Sequence, residues 1–368
     1  MPFLGDELGL SYTVRGFHFS AFASGLVIAG LVGDRIVTML TRQRAFWLGG
    51  VVMMSGAALL IAGQTAIITI TAMFLMGLFG SLILVVVQAT LADHHGSRRA
   101  TALTEANVVA SMGASVSPLI IGIVPGWRIA VAIGMMYWAG LALAFRQVKI
   151  PRRKTIEDTD SETGNKRLSG LFWGYWLITA LGVSIEWSIV FWAAEFLENN
   201  VGVSKDTAAL ILGVYFLTIV TGRIIGSALT RQISTPVLQF AAFLIVAVGF
   251  VPFWTAPSAT LSIGGFLIMG FGSANIFPMS LALATGAVGP HQADAASGRI
   301  SLAAGLAILI APQLLGSMAD AVGIVQAYLV VACLLVVSLV CVVWVNRVST
   351  QATTQPSHLV EPRSELYE

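Results

Sequence analysis

The sequence predicts an all-α, polytopic membrane protein built from about eleven transmembrane helices. Of its 368 residues, 57% are hydrophobic and only 10% are charged, and the mean hydropathy is +0.86. A soluble domain carries about 25% charged residues, so most of the surface of this protein must face lipid. The apolar runs are also long enough to cross a bilayer as helices, which takes about 20 residues.

Eleven apolar runs separated by polar breaks are the predicted spans. Only helices and closed barrels satisfy every backbone hydrogen bond in lipid, and a barrel strand needs only about ten alternating residues. Runs of this length are therefore helices. In chain order they cover residues 16–33, 45–62, 67–91, 101–124, 127–145, 171–196, 207–229, 237–254, 261–288, 300–319 and 325–345.

An internal repeat divides the chain into two related halves. Short matches recur at offsets of 189 (40 to 229), 192 (80 to 272) and 194 (117 to 311) residues. Three matches in the same order at nearly one offset indicate homologous parallel repeats. We therefore predict an N-terminal bundle at 1–146, a cytoplasmic linker at 147–169, a C-terminal bundle at 170–348 and a disordered cytoplasmic tail at 349–368.

The two halves differ in their number of predicted spans, six in the second and five in the first. At an offset of 189 residues, the counterpart of the span 171–196 would lie mostly before Met1. We therefore expect a further helix upstream of this sequence. In-frame upstream codons that encode no apolar stretch would contradict this expectation.

The basic residues predict the orientation in the membrane. With the C-terminus in the cytoplasm, only Arg15, Arg128 and Lys205 of the 20 basic residues fall on the outer side. Loops on the cytoplasmic side carry an excess of Lys and Arg. The sequence thus predicts a multi-pass protein of a bacterial-type cytoplasmic membrane with its C-terminus inside.

Several other classes of protein do not fit the sequence. The net charge of +2 comes from 20 basic and 18 acidic residues without a basic patch, so nucleic-acid binding is not expected. Cys333 and Cys341 both lie in the last span and predict neither a disulfide framework nor a metal site. The sequence contains no nucleophile elbow, nucleotide loop or metal cluster. We therefore expect no enzymatic activity, no cofactor and no metal.

The segment Gly30-Leu31-Val32-Gly33-Asp34-Arg35 resembles the Gly-x-x-x-Asp-Arg loop between helices 2 and 3 of the major facilitator superfamily. The resemblance extends to the repeat, the basic central linker, and a proline in helices 5 and 11, Pro118 and Pro312; Val37 departs from the family's usual Gly. It implies two helical bundles that rock about a midplane cavity to give alternating access. Helices 1, 4, 7 and 10 of the family line that cavity, here the expected upstream helix and the spans 67–91, 171–196 and 261–288.

Glu186 is the strongest candidate for a substrate or proton site. A carboxylate in the middle of an apolar span costs at least about 2.5 kcal/mol to insert, so it must face a cavity, be paired or be protonated. We interpret Glu186 as a proton or cation acceptor; the alternative is a structural hydrogen bond. Glu195 lies nine positions later, which places it on the opposite face of the helix from Glu186. It is predicted to snorkel or to cap the outer helix end, beside Glu198.

Other polar and aromatic residues within the spans are candidate substrate contacts. Pro278 cannot donate to the carbonyl of Ala274, so the helix around Asn275 is expected to kink and to present polar groups to the cavity. Asn275 and Gln88 could equally make hydrogen bonds between helices. Trp187 and Phe277 could stack on a sugar ring or an organic cation, or could simply pack.

Charged residues at the cytoplasmic helix ends are candidate gating groups. Opposite charges there can pair between bundles and separate when the bundles rock, whereas solvated surface pairs contribute little. The resemblance favours an Asp34 to Arg299 pair. The predicted gating residues are Asp34, Arg35, Arg223, Arg299 and Glu105.

Together these features predict a secondary transporter that moves a small organic solute, coupled to protons and acting as a monomer. Uptake of a sugar-like nutrient and efflux of a hydrophobic compound both fit one acid, some amides and several aromatic residues. The alternative is a receptor or scaffold that has the same fold and does not transport.

Overall fold

The computed structural model describes residues 1–95, 99–151, 168–255, 258–289 and 292–354, and these residues form helices and no strands. Ten helices in this part of the chain are long and apolar enough to cross a membrane, and an eleventh has a shorter apolar stretch at Val109–Ile123. The predicted all-α membrane fold is confirmed.

The described residues of the first half form six helices. They are α1 (Pro2–Glu7), α2 (Tyr12–Leu40), α3 (Arg42–Ala62), α4 (Ala66–His95), α5 (Arg99–Ile123) and α6 (Trp127–Ala144).

In the second half, the part of the chain that the structure describes forms eight α-helices. They are α7 (Gly170–Phe196), which continues as a π-helical turn (Leu197–Val201), α8 (Lys205–Leu229), α9 (Thr235–Thr255), α10 (Ala259–Ser273), α11 (Ile276–Gly286), α12 (Ala293–Val322), α13 (Ile324–Ala327) and α14 (Leu329–Thr354). The predicted span 261–288 is therefore two helices, and α14 continues past residue 349, where the tail was predicted to begin.

The antiparallel helices define two ends of the molecule. We call the end that holds α1 and the connections at 8–11, 63–65 and 202–204 the N-terminal side. The opposite end, which holds residues 145–151 and the connection at 230–234, is the linker side.

The halves meet along two helix pairs, α2 with α12 and α5 with α8. Small residues allow these close approaches because they let backbones touch. On α5, a Cβ at Gly122 would lie 2.7 Å from the carbonyl oxygen of Asp206 on α8. On α8, a Cβ at Gly213 would lie 2.5 Å from the Leu119 side chain of α5. Both contacts lie toward the N-terminal side.

The two halves are packed differently. The largest buried cluster lies mostly in the second half and is rich in aromatic side chains, among them Trp192, Tyr215, Phe253, Phe266 and Tyr328. The first half holds two small apolar clusters, one around Leu60 and one around Leu82.

Candidate functional site

The break between α10 and α11 lies where the sequence predicted a kink. Because Pro278 has no N–H, the carbonyl of Ala274 has no helical donor. Nε of Arg223 donates to that carbonyl at 3.3 Å. Nδ2 of Asn275 donates to the carbonyl of Gly222 at 2.7 Å. The kink prediction is confirmed, and Asn275 uses its amide to join α11 to α8.

Arg223 connects the two halves near the middle of the protein. Its guanidinium also donates to the hydroxyl of Ser111 on α5 of the first half. The same guanidinium interacts electrostatically with the carboxylate of Glu186 on α7. Arg223 therefore joins the break between α10 and α11 to the first half, about two turns from the linker-side end of α8.

Glu186 lies in the middle of α7 and is partly exposed. No hydrogen bond or ion pair joins its carboxylate to another residue in the described ranges. An acid in this setting is available to bind a proton or a solute hydroxyl, provided that water reaches it.

Aromatic side chains of α7 lie at the contact between the halves. The ring of Trp187 lies 5.0 Å from that of Phe191, which stacks on Phe19 of α2 at 4.0 Å. Trp187 and Phe277 pack against the same small buried cluster, formed by residues of α2, α7 and α12. Trp187 and Phe277 thus pack against one cluster at the contact between the halves.

The other predicted site residues lie apart from this group. Gln88 is exposed on α4, and Arg35 and Glu105 are exposed on α2 and α5. Arg299 is exposed on α12, with its guanidinium 6.0 Å from the ring of Trp173 in the same half. The side chain of Asp34 lies outside what the structure describes, so the Asp34 to Arg299 pair stays a prediction.

A second polar cluster, absent from the predicted site, joins the halves on the N-terminal side. Arg15 of α2 forms an ion pair with Glu195 of α7. Both side chains are buried, with 11% and 2% exposed. The expectation that Glu195 snorkels or caps is therefore wrong, because its partner is a cation of the other half rather than water or its own helix.

Asp6 extends this cluster. It pairs with Arg15 at 2.8 Å and also with Lys205 of α8. Partial burial favours the protonated form of Asp6, but the hydrogen bonds and charges of Lys205 and Arg15 outweigh it and hold the pKa of Asp6 below its ordinary 3.8. Lys205 also lies 3.6 Å from Glu198. We call Asp6, Arg15, Glu195, Glu198 and Lys205 the ion-pair cluster.

Backbone groups add to this connection. Asp320 of α12 accepts hydrogen bonds from the amides of Tyr12 and Thr13 at 2.8 and 2.7 Å. Nε2 of Gln313 donates to the carbonyl of Thr13 at 3.3 Å. Below the ion-pair cluster, both halves line a cavity of about 310 Å³ that includes Phe19, Trp127 and Lys205. The N-terminal side is therefore closed.

The fold and these contacts define a polytopic helical membrane protein made of two related halves that meet at a closed end. Residues 1–196 and 175–366 each match the sequence profile of the Major Facilitator Superfamily. The chain belongs to this family of membrane transporters.

Known relatives agree with this assignment. The chain is 25% identical over 356 residues to a glucose/galactose transporter of Brucella abortus biovar 1 (strain 9-941), an alignment covering 89% of this chain and 84% of that protein. Its fold is similar to that of a point mutant of the nucleoside transporter NupG, with a TM-score of 0.77, 12% identity and 93% of each chain covered. It is also similar to a D-xylose-proton symporter, with a TM-score of 0.72, 14% identity, and 90% and 87% of the two chains covered.

Proposed function

We propose that this protein is a proton-coupled permease for a sugar or a similarly small polyhydroxylated solute. Glu186 accepts the proton, and Arg223 and the aromatic residues Trp187 and Phe277 form the adjoining part of the solute site. The observation that carries this proposal is a carboxylate in the middle of a membrane helix, without an ion-pair partner among the described residues and near a guanidinium that reaches the opposite half.

The charges explain how proton and solute binding would be linked. Protonation of Glu186 removes a negative charge near Arg223, and the guanidinium can then strengthen its contacts with Ser111 or with a solute hydroxyl. Binding of the proton and of the solute thereby alters the attraction between the halves. Coupling requires that the proton and the solute bind the two conformational states with different affinities.

Two features support a sugar-like solute. Aromatic faces beside hydroxyl-binding polar groups suit a ring that has apolar C–H faces and polar edges. A relative that matches this chain over 356 residues is named a glucose/galactose transporter. Fold alone does not select a solute, so the local groups around Glu186 carry the argument.

The remaining parts of the proposal concern topology and assembly. We place the linker side and the C-terminus in the cytoplasm of a bacterial-type cell membrane, because of the excess of basic residues there. The protein works as a monomer in the bilayer and catalyses no chemical reaction. With this orientation, the closed N-terminal side faces outward.

The test is transport in proteoliposomes with a Glu186→Gln variant and a panel of labelled sugars that includes glucose, galactose and xylose. We expect the wild-type protein to accumulate at least one sugar along an inward proton gradient. The variant should lose accumulation by about tenfold or more and keep sugar exchange without a gradient, because only the proton site is removed.

The matched control is Asp206→Asn, which neutralises an exposed acid in the first turn of α8. It should accumulate sugar like the wild type. Gradient-driven accumulation by Glu186→Gln would refute the coupling role. A wild-type protein that binds a sugar but neither exchanges nor accumulates it would favour the receptor alternative.

A further inference from the structure

A cavity of about 460 Å³ lies in the first half, away from the contact between the halves, and is lined by residues of α3, α4 and α6 and by residues 145–150 on the linker side. We call it the α3–α6 cavity. Its volume falls within the roughly 300–1,000 Å³ of small-molecule sites. Its main lining residues are Phe46, Trp47, Val87, Trp138, Leu141 and Phe145.

The walls of the α3–α6 cavity are almost entirely apolar. Gly50 allows the ring of Trp138 to lie directly against α3. Leu141 and Phe145 are 40% and 59% exposed at the opening. The polar side chain of Gln43 is already used, because it accepts from the amide of Ile150 at 2.6 Å and donates to the carbonyl of Val148 at 3.2 Å. The residues that follow α6, up to Ile150, thus close one end of the cavity. The apolar space that remains fits a hydrocarbon chain.

The linker-side rim of this cavity is basic. Arg44 lies one turn before Trp47 on α3, Arg146 directly follows Phe145, and Lys149 lies between the lining residues Val148 and Ile150. All three cations are exposed. Such a rim lies at the depth of the lipid headgroups, where each cation favours an anionic lipid.

A buried arginine at the same end has unmet hydrogen-bonding capacity. Arg42, one turn before Phe46, is only 5% exposed and pairs with Asp93 at 2.6 Å through a single nitrogen. Its Nε and Nη1 find no acceptor among the described residues. Unpaired buried donors are costly, and a guanidinium matches the oxygens of a phosphate group. A phosphate group supplies acceptors of this kind.

We propose that the α3–α6 cavity binds one acidic phospholipid, with an acyl chain between Phe46, Trp138 and Phe145 and the phosphate headgroup at the rim formed by Arg44, Arg146 and Lys149. Ordinary lipid of the annulus would fill an apolar groove without regard to headgroup charge. The cationic rim and the unsatisfied Arg42 are what select the acidic headgroup here.

The second half has a related groove. Between α9 and α14, a groove of about 470 Å³ on the linker side is lined by Phe240, Trp344 and Arg347. Phe240 lies 194 positions after Phe46, the offset of one of the repeat matches. An apolar groove beside a cation therefore recurs at the equivalent place of both halves.

The experiment is native mass spectrometry of the detergent-purified full chain, titrated with phosphatidylglycerol and phosphatidylethanolamine that carry identical acyl chains. We expect the first phosphatidylglycerol to bind about tenfold more tightly than the first phosphatidylethanolamine. The double variant Arg44→Gln/Arg146→Gln should lose most of this preference. Ala142→Phe, which fills the α3–α6 cavity, should bind one tight lipid fewer than the wild type, because the groove between α9 and α14 stays open.

Two control variants separate this site from general effects. Arg231→Gln/Arg299→Gln removes the same charge from exposed positions of the second half, and Ala144→Phe adds the same ring at an exposed position of α6. Both should bind lipid like the wild type, and thermal unfolding in detergent verifies that every variant is folded. Equal affinity of the wild type for the two lipids would overturn the proposal. So would an equal loss of preference in the Arg231→Gln/Arg299→Gln control.

Discussion

The N-terminal side and the linker side differ in which residues their polar contacts join. On the N-terminal side, Arg15 binds Glu195 and Asp320 binds the start of α2, and both contacts cross between the halves. On the linker side, Arg42 binds Asp93 and the indole of Trp176 binds the carbonyl of Arg299, each within one half. The structure is therefore a state closed at one end, whose closing contacts can be distinguished from those that hold each half together.

This difference separates contacts that must break during alternating access from contacts that must persist. A contact between halves biases the equilibrium between states, because it exists in only one of them. A contact within a half is present in both states and affects stability alone. The distance between two spin labels can report the opening of each end. One pair is placed at the exposed Gln64 and Thr260 for the N-terminal side, and the other at the exposed Gln147 and Gln232 for the linker side. Cys333 and Cys341 are replaced by serine.

The largest effect is expected for Glu195→Gln. It leaves the buried Arg15 with Asp6 alone as its anionic partner, which costs the closed state up to about 3 kcal/mol and shifts the equilibrium by about 100-fold. The Gln64 to Thr260 distance measured by double electron–electron resonance should lengthen, and the linker-side distance should shorten.

The matched control for Glu195→Gln is Asp93→Asn, which breaks the Arg42 pair within the first half. It should lower the unfolding temperature without moving either distance. If both variants changed the distances equally, the distinction between the two sides would be lost.

A smaller effect is expected for Gly122→Ala on α5. The new Cβ would lie 2.6 Å from Cγ of Leu210 and 2.7 Å from the carbonyl oxygen of Asp206, so α5 and α8 must separate. Overpacking of this kind costs about 1–3 kcal/mol, which again favours opening of the N-terminal side. Gly113→Ala on the same helix meets nothing within 4 Å and should leave the distances unchanged. Unchanged distances in Gly122→Ala would show that this close approach does not hold the side closed.

The smallest effect is expected from acid. The lowered pKa of Asp6 means that its pairing stabilises the closed side above pH 3.8 and is lost as the pH falls through the lower folded value. Asp6 is 47% exposed, so its contribution is below about 1 kcal/mol. The label pair should show a slight opening as the pH falls below 3.8, and Asp6→Asn should remove this pH response.

Glu7 provides the comparison for the acid experiment. Hydrogen bonding by Arg128 holds the pKa of Glu7 below 4.5, and this pair lies within the first half. Glu7→Gln should therefore keep the opening in acid. An opening that depended on Glu7 rather than Asp6 would contradict the proposed division of contacts.

Much of the fold could be predicted from the sequence because lipid imposes simple rules on span length and hydropathy. Nine of the eleven predicted spans fall in one helix to within a residue, whereas 261–288 and 325–345 each cover two helices. The break near Asn275 followed from Pro278, since a missing N–H has a local consequence. Glu186 could also be recognised from local sequence, because a carboxylate in an apolar run must face a cavity, be paired or be protonated.

The ion-pair cluster could not be predicted in this way. Glu195 was interpreted from its own helix, whereas its partner Arg15 lies 180 positions earlier and meets it only when the halves pack. The contacts of Arg223 were likewise not predicted, because its long side chain reaches the break at Ala274 on another helix. Sequence patterns within one helix contain no information on which helix of the other half lies opposite.

The carboxylate of Asp320 has one further consequence. The first amides of any helix lack partners inside it, and here the amides of Tyr12 and Thr13 find theirs on the opposite half. When the halves part at this end, both N–H groups must turn to water, and the first turn of α2 keeps only its own cap, the hydroxyl of Ser11 that accepts from the amide of Val14. The rate at which these two amides exchange their hydrogens for deuterium therefore reports how often the halves separate at the N-terminal side.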